Sequence, residues 1–412
     1  MKELTLAQEG LIRIIRDDIS FKKAQNILFP HNSPDRKYIG NVSSLLGCEL
    51  RHHLLFGQLL KEANAILDIE EEMLVRLALA NHFFLKRFNE DEIKNIVKES
   101  LKEKYSSQID NLLSYSGPIA EIVKLDHSDI EYVSIRFNTP SWLIKMWNKH
   151  YGRGLSFKTL KANSLPMKNF VRLSSKDKIE LDESKFIKSD ITDIYEYVGK
   201  EPLRKLEQYQ NGEMFQLRPV IKDILDRYYD PLMNECTLYS GDDDSVIHEF
   251  YTRSLGKCGI NLVVPDLSKR AEVMRFIRLN NIKNINFFMA NDPIAYQTGI
   301  SHQQEMVFLF PSSSSFSKIQ LYPDYLLHFK RESLDALIKK QKEVIVDLSK
   351  YVLPGGLLIY MVDTLNKKES SSIVTNFLLD NPDFSLLEEQ QLFAFDDNTT
   401  LYYAVMKRKD NV

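Results

Sequence analysis

The 412-residue chain has only three cysteines, Cys48, Cys236 and Cys258. They are too few and too scattered for a disulfide framework or a zinc site, so a reducing cytoplasm is the expected setting. Glycine and proline are also scarce, at 15 and 14 residues, which excludes fibrous and low-complexity types. No uninterrupted apolar run approaches the length of a membrane span, so no membrane partner is expected. Met1 to Ser20 carries acids and bases throughout, unlike a basic-then-apolar secretory leader. The net charge is only −3, without the basic footprint of a protein held to nucleic acid chiefly by phosphate neutralisation. What the chain does have is 43% hydrophobic and 11% aromatic residues, enough to bury real cores in a length that predicts two or three domains.

From Leu4 to about Leu113 apolar residues recur at three and four, as in Leu11, Ile14, Ile15 and Leu74, Leu77, Leu79, which predicts a helical bundle. His52 and His53 fall within one such helix; adjacent positions face apart, whereas metal-binding helical histidines prefer a spacing of four. Asn138-Thr139-Pro140-Ser141-Trp142-Leu143 reads as a helix start, with a polar cap and then proline, and the helix stops at Tyr151-Gly152. Between Phe157 and Glu196 the chain turns mixed, with Val171, Ile179 and Ile187 among charges, which predicts a small α+β region.

From about Gly212 strand and helix signals alternate. Strands are expected at Cys236 to Tyr239, Asn261 to Val264, Asn286 to Met289, Met306 to Phe310, Leu357 to Val362 and Leu401 to Met406. Helices are expected at Ser268 to Leu279, Ser333 to Tyr351 and Ser370 to Leu379. The fold class is therefore α/β, with a doubly wound carboxy-terminal sheet whose ligands bind at the carboxyl ends of the strands. The expected domains are a helical 1–128, an α+β 129–205 and a Rossmann-like 206–412.

Asp266 follows the second of these strands, where a carboxylate meets both hydroxyls of a ribose, and Asp292 follows the third, within reach of an adenine amino group. Each is equally readable as a cap on the helix or turn after it. The run Asp242-Asp243-Asp244 reads as a solvated helix-capping loop rather than a magnesium site, because neighbouring carboxylates rarely converge on one ion. No metal is expected. Cys236 reads as core, and His248 and His302 have no sequence partner suggesting a triad. Lys145 to Lys149, Lys330 with Arg331, and Lys339, Lys340 and Lys342 are candidate RNA-contacting surfaces, each also readable as a solvated helix face.

A series of short motifs resembles the Sun/Fmu group of ribosomal RNA cytosine-5 methyltransferases, within the wider Nop/Sun family. Asp35-Arg36 with Leu45, Leu46, Leu50 and Arg51 is similar to the NusB-like RNA-binding bundle at the family's amino end. Arg136 to Leu143, ending at Tyr151-Gly152, resembles its "RYSxPxWL…YG" signature. Gly212-Glu213-Met214-Phe215-Gln216 with Leu225 and Asp230-Pro231 resembles "G-x-x-x-Q…LDP". Pro323-Asp324, Gln341, Pro354-Gly355-Gly356 and Tyr360 follow the "PD…Q…PGG…Y" series. The resemblance implies a Rossmann-like S-adenosylmethionine methyltransferase fold and a ribosomal RNA or precursor-particle partner. The chain is expected to be a monomer.

The departures bear on chemistry. The resemblance puts Asp363 at the position of the cysteine that attacks cytosine, where a carboxylate is a far poorer carbon nucleophile than a thiolate. It puts Ser312 at the second, product-releasing cysteine, Leu309 at the base-activating aspartate, and Phe316 at a glycine. The family's "CAAPGGKT" cofactor loop corresponds to Tyr239-Ser240-Gly241 and the residues through Val246, with the paired glycines and the lysine missing. Gly241, Asp266 and Asp292 are the residues left as candidates to hold S-adenosylmethionine. The expectation is an RNA-binding homologue without methyl transfer. The alternatives are an active cytosine-5 methyltransferase in which another cysteine reaches the base, and a protein-interaction scaffold.

Overall fold

A computed structural model describes residues 1–174, 181–241, 245–301, 303–396 and 400–410. The chain forms two compact units, Met1–Leu165 with Lys318–Lys330, and Pro166–Ser317 with Arg331–Val412.

The first unit is helical. Helices Lys2–Arg16, Ile39–Arg51 and Ile69–Ala80 bury apolar stripes that include Leu4, Leu11, Ile14, Leu45, Leu46 and Leu77 in one core. Asp68 and Glu71 close a capping box at the start of the third of these, satisfying amide groups that a helix end otherwise leaves unpaired. Three local expectations are corrected. The helix through His52 and His53 is interrupted: one helix ends at Arg51, the next begins at His53, and His52 lies between them at φ −124. Asn138 repairs the break, since its side chain donates to the Leu50 carbonyl at 2.7 Å and accepts from the Leu54 amide at 3.0 Å. It is therefore not the cap of the helix that starts at Ser141, where Pro140 stands instead. That helix breaks at Gly152, whose φ of +83 suits glycine, but a helical segment then continues to Asn163, covering Phe157.

The second unit contains a four-stranded antiparallel sheet in the order β2-β3-β1-β4, with β1 Asn169–Leu173, β2 Phe186–Lys188, β3 Ile194–Tyr197 and β4 Met214–Gln216. Ile179 lies outside the described residues. The stretch 129–205 is thus split: its helices pack in the first unit and its strands in the second. The physical reason lies partly in the core, where Ile194 and Phe215 join the larger sheet's apolar face. Arg172 of β1 also reaches the fully buried Glu249 at 3.1 Å.

The larger sheet comprises β5 Glu235–Ser240, β6 Gly259–Val264, β7 Ile285–Met289, β8 Gln304–Phe310, β9 Val352–Val362, β10 Phe384–Leu392 and β11 Leu401–Arg408. Its order is β10-β11-β9-β8-β5-β6-β7. Strands β5 to β9 pair in parallel, and β11 runs antiparallel to both β9 and β10. Alternate residues face two layers. Leu238, Leu262, Phe308 and Met361 join one core, while Val263, Leu309, Tyr360 and Val362 join the other. The order reverses between β5 and β8, so the loops after these strands and after β9 meet at the carboxyl edge, where doubly wound sheets place their ligands.

Candidate active site at the carboxyl edge of the sheet

Asp363 follows β9 and is 0% exposed. Arg218, between β4 and the helix Pro219–Tyr228, grips both of its oxygens: one guanidinium nitrogen donates to Oδ1 and the other to Oδ2, the second at 2.6 Å. The Arg218 guanidinium also lies 5.3 Å from the centre of the Phe310 ring, a cation–π contact that holds the cation in place. A two-point arginine–carboxylate pair is the strong, geometrically specific form of ion pair. The Asp363 carboxylate is therefore engaged in a structural contact.

The serine loop after β8 packs on the same edge. Ser313 donates through Oγ to the Asp363 carbonyl at 3.3 Å, and the Ser314 and Thr364 hydroxyls meet at 2.7 Å. Beneath them lies Glu369, 0% exposed and without an ion pair among the described residues. It accepts from the Ser314 amide at 2.8 Å, Thr364 Oγ1 at 2.9 Å, Asn366 Nδ2 at 3.1 Å and Gln341 Nε2 at 3.2 Å. Four donors are what a buried carboxylate needs to offset the loss of water. Gln341 donates in addition to the Ser312 carbonyl at 3.0 Å. Ser314, Phe316, Asp363 and Thr364 are each 0% exposed, so protein fills these positions.

The structure thus brings Ser312 and Asp363 to one edge, and it sends Leu309 into the core of the opposite layer. Gly241 sits at the point where the strand order reverses. Its amide donates to the Phe310 carbonyl at 2.8 Å, and a Cβ there would lie 2.4 Å from the Ser312 nitrogen. This glycine is accounted for by the approach of two backbones. Asp266 caps the helix Leu267–Leu279, accepting from the Ser268 hydroxyl and from the Lys269 amide at 3.0 Å. The Ser268 hydroxyl, followed by that amide, holds its carboxyl below the usual range. Asp292 caps the helix Pro293–Gly299, accepting from the Ala295 amide at 3.1 Å. Both remain exposed at the carboxyl edge. The aspartates 242 to 244 lie outside the described residues, as does His302.

No cysteine reaches this edge within the unit. Cys236 and Cys258 lie at the amino ends of β5 and β6, with their sulfurs 3.6 Å apart. Contact with Cys258, followed by burial, holds the Cys236 thiol well above its ordinary range. Cys48 is buried in the helical unit, where burial pushes its thiol up to about 11. Among the described residues no group of three or more histidine, cysteine or acidic side chains could hold a metal ion. No described helix is long and apolar enough to cross a membrane.

Sequence reasoning missed Arg218 and Glu369. Arg218 stood in the otherwise apolar Leu217-Arg218-Pro219-Val220 directly after the Gln216 motif, and an arginine in a buried stretch is a signal that a carboxylate lies nearby. Glu369 sat in the polar run Lys367 to Ser372, which carries no mark of burial.

The parallel sheet with one reversed strand beside its end, flanked by helices, is the fold of the Rossmann-like S-adenosylmethionine methyltransferases. No protein-family profile matches the chain. Its sequence is 20% identical over 259 residues to the probable ribosomal RNA small subunit methyltransferase B of Bacillus subtilis, a match covering 60% of this chain and 57% of that protein. Among solved structures, PH0851 matches with a TM-score of 0.76 and 14% identity, over 98% of both chains. A methyltransferase homologue from Pyrococcus horikoshii matches at 0.56 and 11%, over 69% of this chain and all of that one. NSun6 from Pyrococcus horikoshii, solved with SFG, matches at 0.55 and 11%, over 66% and 99%. The chain thus shares the fold of these structures, and its sequence is similar over part of its length to a probable ribosomal RNA small subunit methyltransferase B.

Proposed function

We propose that the chain is a non-catalytic homologue of the ribosomal RNA cytosine-5 methyltransferases that binds ribosomal RNA or a precursor particle as a monomer in the cytoplasm. One observation carries the loss of chemistry: Asp363 is fully buried and held on both oxygens by Arg218. A nucleophile must present a lone pair to the base within near-attack distance, and this carboxylate presents none. Ser312 has no thiol to assist release, and Leu309 has no group to hydrogen-bond the ring.

The remaining residues do not fit S-adenosylmethionine as a methyl donor. A Cβ at Gly241 would meet the backbone of Phe310 to Ser312, so this glycine serves the approach of two strand ends, and Asp266 and Asp292 are left to meet an adenosine half alone. The RNA target is inferred from the relative in Bacillus subtilis, and the helical bundle is the part we read as NusB-like and RNA-binding. Two measurements test the reading. Gel shifts with unmodified small-subunit ribosomal RNA should show binding that weakens steadily as salt rises; absence of any shift at low salt would favour a protein-interaction scaffold. Calorimetry with S-adenosylhomocysteine should show no binding tighter than about millimolar; a micromolar constant, some three orders tighter, would restore the cofactor site.

A further inference from the structure

A cavity of about 750 Å³ opens in the second unit between the small sheet and the helix Leu267–Leu279. None of Gly241, Asp266, Asp292, Leu309, Ser312 or Asp363 lines it, but Arg218, which holds Asp363, and Ser245 do, so the cavity adjoins the carboxyl edge from the side of the small sheet. Its size falls in the range of small-molecule sites, roughly 300–1,000 Å³.

Its walls combine two chemistries. Phe170, Phe215 and Phe276 supply rings. Behind them His248 stacks on Phe215 at 3.8 Å between centroids and meets Phe276 edge-on at 5.8 Å, so the aromatic wall is stiffened from within. Lys168 and Arg204 stand at the same cavity. Lys168 pairs with Glu196 at 3.3 Å, whereas Arg204 makes no ion pair among the described residues. Flat apolar faces beside a free guanidinium match an aromatic base that carries an anion. Stacking tolerates any base, and the guanidinium supplies directed donors to phosphate oxygens.

We propose that this cavity binds a nucleotide, its base against the phenylalanine wall and its phosphate at Arg204 and Lys168. The nucleotide is either free in solution or the 5′-terminal nucleotide of an RNA. The proposal is read by nucleotide binding and not by methyl transfer, so activity or inactivity at the carboxyl edge leaves it standing.

The test is calorimetry on the full chain with each of the four ribonucleoside 5′-monophosphates, their nucleosides and inorganic phosphate. At least one monophosphate should bind in the micromolar range, at least tenfold more tightly than its nucleoside or phosphate alone. Arg204→Glu with Lys168→Glu should weaken it at least tenfold. Both positions are exposed, so the variant should melt as the parent does. Phe276→Leu should also weaken binding without removing a charge. Competition by a 5′-phosphorylated hexanucleotide would assign the source to RNA, and its failure to compete would assign a free nucleotide; either result upholds the site. No heat at millimolar monophosphate, equal binding of inorganic phosphate alone, or full affinity in the double charge variant would overturn it.

Discussion

Arg218 and Asp363, 145 positions apart in sequence, form a two-point ion pair in which the carboxylate is wholly buried and the guanidinium partly so. Removing one partner leaves the other charge without compensation in the interior. Arg218→Met or Asp363→Leu alone should each lower the stability of the second unit by about 3–5 kcal/mol. The double variant should recover much of that loss, because a buried pair replaced by apolar side chains costs little. Chemical denaturation of the four proteins checks this; additive losses in the double variant would show that the two residues do not act as a pair.

Restoring the thiol does not restore the site. Asp363→Cys should yield no methyl transfer, since Ser312, Leu309 and the packing around Gly241 are unchanged, and it should unfold more readily because Arg218 loses its counter-ion. Transfer of radiolabelled methyl groups to unmodified ribosomal RNA is the readout, and incorporation by this single variant would mean that the surrounding site had been intact.

Gly241→Ala places a carbon 2.4 Å from the Ser312 nitrogen and 2.8 Å from the Phe310 carbonyl oxygen. Neither backbone can yield cheaply, so the variant should lose about 1–3 kcal/mol and melt several degrees lower. An unchanged melting temperature would show that the loops after β5 and β8 are not pressed together.

His248 should make stability depend on pH. Burial, with a smaller contribution from Arg172, pushes its pKa from an ordinary 6.5 down to about 4, and its Nδ1 is buried without a hydrogen-bond partner among the described residues. In that window the unfolded chain binds the proton and the folded chain does not, so stability falls as pH drops from about 6.5 to about 4. The full effect is on the order of 3 kcal/mol. His248→Phe keeps a ring against Phe215 and should flatten this part of the profile. An identical pH profile in the variant would contradict the assignment.

Much of the architecture was legible because local pattern and tertiary packing agree. Cys236 to Tyr239, Asn261 to Val264 and Met306 to Phe310 are mainly apolar runs, as suits parallel strands buried on both faces, with Thr237 and Asn261 as buried polar exceptions that bond Gln304. The edge strand β10 was not legible. Its Leu386-Leu387-Glu388-Glu389-Gln390-Gln391 sequence faces solvent over most of its length, and a register shift between Leu386 and Glu388 breaks the alternation. The helix Pro219–Tyr228 was also missed, although its buried Val220, Ile221, Ile224 and Leu225 follow the helical period from a proline at the first position. In the site, Asp363 and Ser312 were named from the resemblance, and the readable ends of β9 and β8 put both in loops at the carboxyl edge. Their partners could not, because Arg218 and Glu369 reach them through the fold and not through spacing.

The central claim is that the carboxyl edge performs no methyl transfer. The direct measurement is tritium incorporation from S-adenosylmethionine into unmodified small-subunit ribosomal RNA by the purified full chain, beside a boiled control. Incorporation equal to the boiled control is the predicted result. Incorporation above it, confined to cytosine C5, would contradict the account.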